Sequence, residues 1–121
     1  MTMVLLVEDD AWYAEQQQRL LKASGYEVQH ASDAQRAIDL TSTQLPAAIV
    51  LDILLTYNTA FALLHELQSY AETSELPVIL YSTQTELMNR DALAAYGVVA
   101  VLDKTNMHPL DVVRALKKVG I

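Results

Sequence analysis

Short apolar runs that alternate with longer helical patterns are the feature that most restricts the fold of this chain. The five runs occupy residues 4–7, 26–30, 47–53, 78–82 and 98–102. All but the second are rich in Val, Ile and Leu with little polar alternation, which is typical of parallel strands covered on both faces. The second run, residues 26–30, is more polar and suits the edge of a sheet.

Candidate helices fill the spaces between the runs. They lie near residues 11–24, 33–43, 59–72, 86–95 and 108–118. Each is long enough to form the right-handed crossover that joins parallel strands. Gly and Pro residues stand where such elements should begin or end, at Gly25, Pro46, Pro77, Gly97 and Pro109. The pattern predicts a single α/β domain over residues 1–121, with five strand-helix units wound on both faces of a parallel sheet.

Composition narrows the class of partner. The chain has 121 residues, of which 52% are apolar, so one domain with a real core is expected. Its formal charge of -7 disfavours direct binding to nucleic acid, because phosphate backbones select basic surfaces. There is no cysteine, which excludes disulfides and thiolate metal sites. No apolar segment approaches the roughly 20 residues that span a bilayer, and we therefore expect a soluble, cytoplasmic domain without membrane contact.

Polar residues stand at the ends of four of the predicted strands. Glu8 and Asp9 follow the first run, Asp52 lies near the end of the third, Ser82 ends the fourth and Lys104 follows the fifth. In a doubly wound sheet these strand ends share one edge, where ligands bind near the topological switch point. The sequence therefore predicts that three acids, a hydroxyl and an amine converge there.

Three neighbouring carboxylates repel one another, so they require raised pKa values or a divalent cation. Oxygen ligands favour Mg²⁺, with Mn²⁺ or Ca²⁺ as substitutes. Because Mg²⁺ often binds phosphate oxygens as well, Asp52 becomes a candidate nucleophile toward a phosphoryl donor. Lys104 would then help to neutralise the transferred group, and Ser82 would donate a hydrogen bond to it.

Four segments carry a resemblance to a known family. They read Val-Leu-Leu-Val-Glu-Asp-Asp at 4–10, Ile-Val-Leu-Asp-Ile-Leu-Leu at 49–55, Leu-Pro-Val-Ile-Leu-Tyr-Ser-Thr at 76–83 and Val-Leu-Asp-Lys at 101–104. In this order and spacing, the chain resembles the receiver domain of two-component response regulators over essentially its whole length. The resemblance implies a flavodoxin-like (βα)5 fold with strand order 2-1-3-4-5.

The resemblance also implies a role for each strand-end residue. The implied roles are phosphoacceptor for Asp52, metal ligands for Glu8, Asp9, Asp52 and the backbone carbonyl of Leu54, switch hydroxyl for Ser82 and phosphate-binding lysine for Lys104. The phosphoryl donor would be a sensor histidine kinase or a histidine phosphotransfer protein, with Mg²⁺ as cofactor. The resemblance further implies that such a domain catalyses the transfer of the phosphoryl group to its own Asp and its own dephosphorylation, and is not an enzyme in the usual sense.

The family's usual output surface comprises helix 4, strand 5 and helix 5. In this chain it would carry Met88, Arg90, Tyr96, Val101, Arg114 and Lys117. A downstream protein, an effector domain or a second copy of the chain would bind there. The chain ends at the fifth helix, which leaves no room for an effector domain, so a stand-alone receiver and a piece of a longer regulator both stay open.

Several positions depart from the family pattern. Thr56 and Ala60 stand where Pro and Gly are frequent, and Val101 replaces the usual aromatic reporter of phosphorylation. Thr105 replaces the proline that often follows the lysine with a cis peptide. Since a non-proline cis bond costs about 2.5–4 kcal/mol, we expect a trans Lys104–Thr105 bond.

These departures keep a second interpretation open, a pseudo-receiver that acts only through protein contacts. The retained acids, Ser82 and Lys104 favour phosphotransfer. A phosphohydrolase with Asp52 as nucleophile fits poorly, because position 54 holds Leu instead of a proton-donating acid. Thr83 is a rival to Ser82 for the role of the hydroxyl.

The first helix raises two further questions. Gln16 and Gln17 lie where aliphatic residues usually face the sheet, and solvated amides are the first expectation, with a polar contact to a partner as the alternative. Asp10 is the best candidate for the helix cap, and Trp12 should be half exposed at the rim of the site.

The histidines show no metal-ligand spacing and are expected on the solvated surface; they are His30, His65 and His108.

Overall fold

The computed structural model describes residues 2–52, 59–82 and 90–121. The strands are β1 (Met3–Val7), β2 (Glu27–Ala31), β3 (Ala48–Asp52), β4 (Val78–Ser82) and β5 (Val98–Asp103). The helices are α1 (Ala11–Ala23), α2 (Ala34–Thr43), α3 (Thr59–Gln68), α4 (Arg90–Ala94) and α5 (Asp111–Lys118). The predicted alternation of strands and helices is confirmed.

All strand pairs in the sheet are parallel, and the strand order is β2-β1-β3-β4-β5. This order confirms the doubly wound arrangement. The chain adds β2 on one side of β1 and then crosses to the other side of β1 to add β3. The carboxyl ends of the neighbouring strands β1 and β3 therefore form the topological switch point. The polar run in β2 lies at an edge, as its composition predicts.

Two apolar clusters cover the two faces of the sheet. One cluster packs residues of α2, α3 and α4 on one face, and the other packs residues of α1 and α5 on the opposite face. Every residue of β1, β3 and β4 is buried between these layers. The prediction of full burial is wrong for β5, which is mostly half-buried, because its place at the second edge leaves Val99 48% exposed.

Local signals explain where α1 and α2 begin and where α1 ends. Asp10 caps α1 by accepting a hydrogen bond from the backbone N–H of Tyr13 at 2.9 Å, which confirms the predicted cap. Asp33 caps α2 in the same way through Arg36. Gly25 has φ +95° just past α1, a conformation that L side chains rarely adopt.

Two predicted helices are shorter than their patterns indicated. The third ends at Gln68 rather than near residue 72, and the Thr73 hydroxyl donates to the Leu67 carbonyl in the turn that follows. The fifth begins at Asp111 rather than near residue 108. There the Asp111 carboxylate accepts from the backbone N–H of His108 at 2.8 Å, which closes a turn ahead of the helix.

Burial on α1 follows helical spacing rather than polarity. Ala14, Gln17 and Leu21 face the sheet, and Gln17 is only 3% exposed. The expectation of a solvated amide is therefore wrong for Gln17.

Among the described residues, no helix has the length and apolar character that crossing a membrane requires.

Candidate functional site

The carboxyl edge of the sheet brings together the residues that the sequence placed there. Glu8 and Asp9 directly follow β1, Asp52 is the last residue of β3, and Lys104 follows β5. Carboxylate oxygens of Glu8, Asp9 and Asp52 all lie within 4.8 Å of one another. Glu8 and Asp52 are buried, whereas Asp9 is exposed, so the acid cluster opens to solvent on the Asp9 side.

Lys104 joins two of these acids. Its Nζ atom donates to Glu8 Oε1 at 3.2 Å and to Asp52 Oδ2 at 3.1 Å, and its side chain is only 16% exposed. Both acceptors are nearly inaccessible, so water screens these ion pairs weakly. The Lys104 ammonium therefore lies beside Asp52, the carboxylate that the sequence identified as the candidate nucleophile.

Glu8 is held by neutral donors as well. The Tyr81 hydroxyl donates to Oε1 at 2.8 Å, and the backbone N–H of Asp10 donates to Oε2 at 3.1 Å. Tyr81 is fully buried in β4, directly before Ser82. Each Glu8 oxygen therefore has a protein donor, which satisfies the rule that buried polar groups are paired.

Burial dominates the electrostatics of this cluster. It raises the pKa of Glu8 to about 7, although the hydrogen bonds from Tyr81 and from the Asp10 backbone act to lower it. Burial and the neighbouring Glu8 charge raise the pKa of Tyr81 far above its ordinary value, so its hydroxyl stays protonated as a donor. For Lys104, burial acts to lower the pKa, but attraction by Asp52 and Glu8 outweighs it and the pKa is raised.

Ser82 lies at the same edge and is fully buried at the end of β4. Its backbone carbonyl accepts from the Lys104 N–H at 2.8 Å, which ties the lysine's backbone to the end of β4. Leu54, Thr56 and the rival hydroxyl of Thr83 lie outside the described residues. Ala60, by contrast, is fully buried in the first turn of α3.

The turn after Lys104 contains the Thr105 that departs from the family pattern. Asp103 Oδ1 accepts from the backbone N–H of Thr105 at 2.9 Å and from its hydroxyl at 2.6 Å. The Lys104–Thr105 peptide is trans, as the missing proline led us to expect. An aspartate-centred turn thus takes over the place where the family often uses proline.

Sequence reasoning missed the contacts of three residues at this edge. Tyr13 and Tyr81 stack with ring centroids 5.5 Å apart, and Lys104 Nζ lies 4.3 Å and 4.8 Å from the two centroids. His30 Nε2 donates to the Glu8 backbone carbonyl at 2.8 Å, so the expectation of a solvated histidine is wrong there. The period-2 alternation of β4 places Tyr81 and Ser82 on opposite faces, but no local pattern shows which partner either residue meets.

The donor set fits a divalent cation. Carboxylate oxygens are hard ligands that suit Mg²⁺, and three of them lie close enough to share one ion. Glu8 and Asp52 also contact Lys104, so an ion that entered would compete with the ammonium for these oxygens. Asp9 is exposed, so an ion would reach the cluster from the side of this residue.

Known proteins share this architecture. The solved structure of the chemotaxis protein CheY4 from Vibrio cholerae covers 98% of this chain and 98% of its own, with a TM-score of 0.89 and 23% identity. TrrA from Thermotoga maritima, a response regulator solved in complex with Mg²⁺-BeF, has a TM-score of 0.82 and 18% identity and covers 98% of this chain and 99% of its own. At these identities the likeness establishes the fold.

Sequence comparison identifies the family. The response regulator MprA from Mycolicibacterium vanbaalenii is 29% identical over 89 residues, which are 74% of this chain and only 38% of that protein. A sequence model described as "Response regulator receiver domain" matches residues 4–117, nearly the whole chain. The chain therefore belongs to the response regulator receiver domain family.

Proposed function

We propose that this domain accepts a phosphoryl group on Asp52 from a sensor histidine kinase or a histidine phosphotransfer protein in a two-component or phosphorelay system. One observation supports this most strongly: Asp52, which ends a buried strand, is adjacent to two further acids and bonded to Lys104 at 3.1 Å. Buried carboxylates in such clusters are typical of functional sites.

The transfer itself needs little from the protein beyond placement and charge. A carboxylate oxygen of Asp52 forms a bond to phosphorus while the bond from phosphorus to the donor's imidazole nitrogen breaks. The electron pair of the broken bond stays on the imidazole, and no oxidation state changes. Lys104 offers its ammonium to the charge on the transferred group, and Ser82 contributes a hydroxyl at the neighbouring strand end.

Mg²⁺ is the proposed cofactor, with Mn²⁺ as a substitute. Glu8, Asp9, Asp52 and the Leu54 carbonyl are the proposed ligands, of which Leu54 lies outside the described residues. The bound ion would neutralise charge on the phosphoryl oxygens. The related fold of TrrA in complex with Mg²⁺-BeF supports this assignment.

The phosphoryl group would act on partners by biasing a two-state surface. We propose the face of α4, β5 and α5, where Tyr96 and Val101 are half-buried and Arg114 and Lys117 are exposed. The side chains of Met88 and Arg90, also expected there, lie outside the described residues. A downstream protein, an effector domain or a second copy of the chain would bind this face. We also propose that the domain acts in the cytoplasm, where kinases bind their nucleotide substrate.

Mass spectrometry of the intact protein tests the phosphoacceptor. Incubation with Mg²⁺ and acetyl phosphate should add one phosphoryl group to the wild type and none to Asp52→Asn. Asp39→Asn, an exposed acid on α2, is the matched control and should be phosphorylated like the wild type. An unmodified wild type, with Mg²⁺ binding shown separately, would instead support a pseudo-receiver that works through contacts alone.

Fluorescence gives an independent test of the metal site. Trp12 is the single tryptophan, is 68% exposed and lies in the first turn of α1, three residues after Asp9. Titration with Mg²⁺ should produce a saturable change that Asp9→Asn abolishes. A saturable change that survives Asp9→Asn would place the ion elsewhere.

A further inference from the structure

Lys104 is enclosed by aromatic rings as well as by carboxylates. Its Nζ lies 4.3 Å from the ring centroid of Tyr13 and 4.8 Å from that of Tyr81. The two rings are nearly parallel, with an interplanar angle of 20°. Both separations fall within the range in which an aromatic face attracts a cation, and the attraction grows when the cation is shielded from water.

A lysine needs such restraint if it is to hold one position. Its four-carbon side chain rotates freely, and its ammonium is a compact charge that water would otherwise solvate. Lys104 is 16% exposed, so its ammonium has lost most of this water. The carboxylates attract the charge, while the rings limit the directions from which the chain can approach.

Tyr81 restrains both members of an ion pair. Its hydroxyl donates to Glu8 Oε1 at 2.8 Å, the same oxygen that Lys104 contacts at 3.2 Å. The ring of the same residue lies beside the ammonium. One buried side chain therefore fixes the position of the cation and of its carboxylate partner.

Tyr13 completes the enclosure from the helix layer that covers the Tyr81 side of the sheet. It extends from the first turn of α1 and stacks on Tyr81, and its hydroxyl lies 3.8 Å from Met107 Sδ, in the segment between Lys104 and α5. Tyr13 thus links α1, β4 and the segment that follows β5. A displacement of its ring would free the lysine on one side.

We propose that Tyr13 and Tyr81 are positioning residues that hold the Lys104 ammonium against Asp52. This inference rests on the proposed function, because the lysine matters for transfer only if Asp52 is phosphorylated. Neither tyrosine is proposed to touch the phosphoryl group. Their effect on the transfer is exerted through Lys104.

Nuclear magnetic resonance tests the enclosure without any reaction. The chain has four lysines, so ¹³C-lysine labelling gives a small set of methylene signals, and Lys104→Arg identifies that of Lys104. Ring currents should move the Lys104 signal upfield of those from exposed Lys22 and Lys118. Tyr13→Leu should return it toward them, Tyr13→Phe should keep it upfield, and Tyr70→Leu, at an exposed tyrosine, should leave it in place.

Phosphorylation kinetics test the consequence. With acetyl phosphate and Mg²⁺, Tyr13→Leu should lower the rate about threefold to tenfold, the equivalent of one cation–π contact, and Tyr13→Phe should restore it. Circular dichroism confirms folding, and Tyr13→Met replaces the Leu variant if that variant unfolds. The Tyr70→Leu control should react like the wild type.

The two measurements separate failure of this inference from failure of the proposed function. A wild type that is never phosphorylated refutes the proposed function, while the lysine signal still reports on the enclosure. A Lys104 signal that matches the exposed lysines overturns the inference. So does a Tyr13→Leu variant that loses the upfield shift but keeps the wild-type rate, or a Tyr13→Phe variant as slow as Tyr13→Leu.

Discussion

Replacing Tyr81 with Phe removes one buried hydroxyl, keeps the ring beside Lys104, and so isolates the hydrogen bond to Glu8. Tyr81 and Glu8 are both fully buried, and their 2.8 Å contact is to a carboxylate. Hydrogen bonds to charged groups contribute about 1.5–3 kcal/mol, more than those between neutral groups. Tyr81→Phe should lower the free energy of unfolding by that amount at pH 8, a fall in Tm of about 5–15 °C.

The loss should depend on pH. Glu8 has a pKa of about 7, so its carboxylate is largely charged at pH 8 and largely protonated at pH 5. A protonated carboxyl still accepts from Tyr81, but as a neutral partner worth about 1 kcal/mol. The destabilisation by Tyr81→Phe should therefore be smaller at pH 5 than at pH 8.

Urea unfolding followed by circular dichroism measures both values. Fluorescence of the single tryptophan would change little on unfolding, because Trp12 is already exposed in the folded domain. Tyr70→Phe is the matched control, because Tyr70 also donates to a glutamate, Glu66, but at 3.3 Å on an exposed surface. That change should cost about 0.5 kcal/mol or less. Equal losses for Tyr81→Phe and Tyr70→Phe, or a larger Tyr81→Phe loss at pH 5, would refute the reasoning.

Three further predictions concern Glu8 itself, two glycines and the turn after β5. The folded-state pKa of Glu8 is raised from 4.5 to about 7, so the stability that protonated Glu8 contributes is complete below pH 4.5 and is lost as pH rises through 7. The free energy of unfolding should fall by up to about 3 kcal/mol over this range. Urea unfolding in EDTA should show the fall, and Glu8→Gln should remove the pH dependence. Gly97→Ala should destabilise the domain more than Gly25→Ala. Both substitutions place an alanine at a positive φ, which costs about 1–2 kcal/mol, but only at Gly97 would the new Cβ lie 3.1 Å from the Leu76 carbonyl oxygen. Equal urea midpoints for the two variants would contradict this prediction. Asp103→Ala should loosen the turn after β5 and speed hydrogen exchange of the amides that follow it, whereas unchanged exchange would show that the carboxylate does not hold the turn.

The sheet and the convergence of the acids could be predicted because both depend on simple periodicities. A parallel sheet places all strand carboxyl ends at one edge, so locating Asp52 at the end of an apolar run also located its neighbours. Composition indicated the edge position of β2 but not that of β5. β5 is as apolar as a central strand, and its half-burial follows from pairing order, which composition does not encode.

Contacts between distant segments were the part that the sequence could not supply. The burial of Gln17 is a different case, because the helical spacing that it shares with Ala14 and Leu21 already indicated the sheet, and only its polarity favoured solvent. The bond from Tyr81 to Glu8 joins residues 73 apart in the chain. Neither residue type nor spacing indicates such a partner, since any buried tyrosine needs one acceptor and the sequence offers many.

The turn built by Asp103 and Thr105 has a consequence for protein engineering. In this chain the lysine's place depends on a hydrogen-bonded loop and on rings from two other segments, rather than on a rigid proline. Transplanting only the acids and Lys104 into another receiver would leave this support behind. A chimera that keeps the native lysine geometry must exchange Tyr13, Tyr81 and residues 103–105 as one unit.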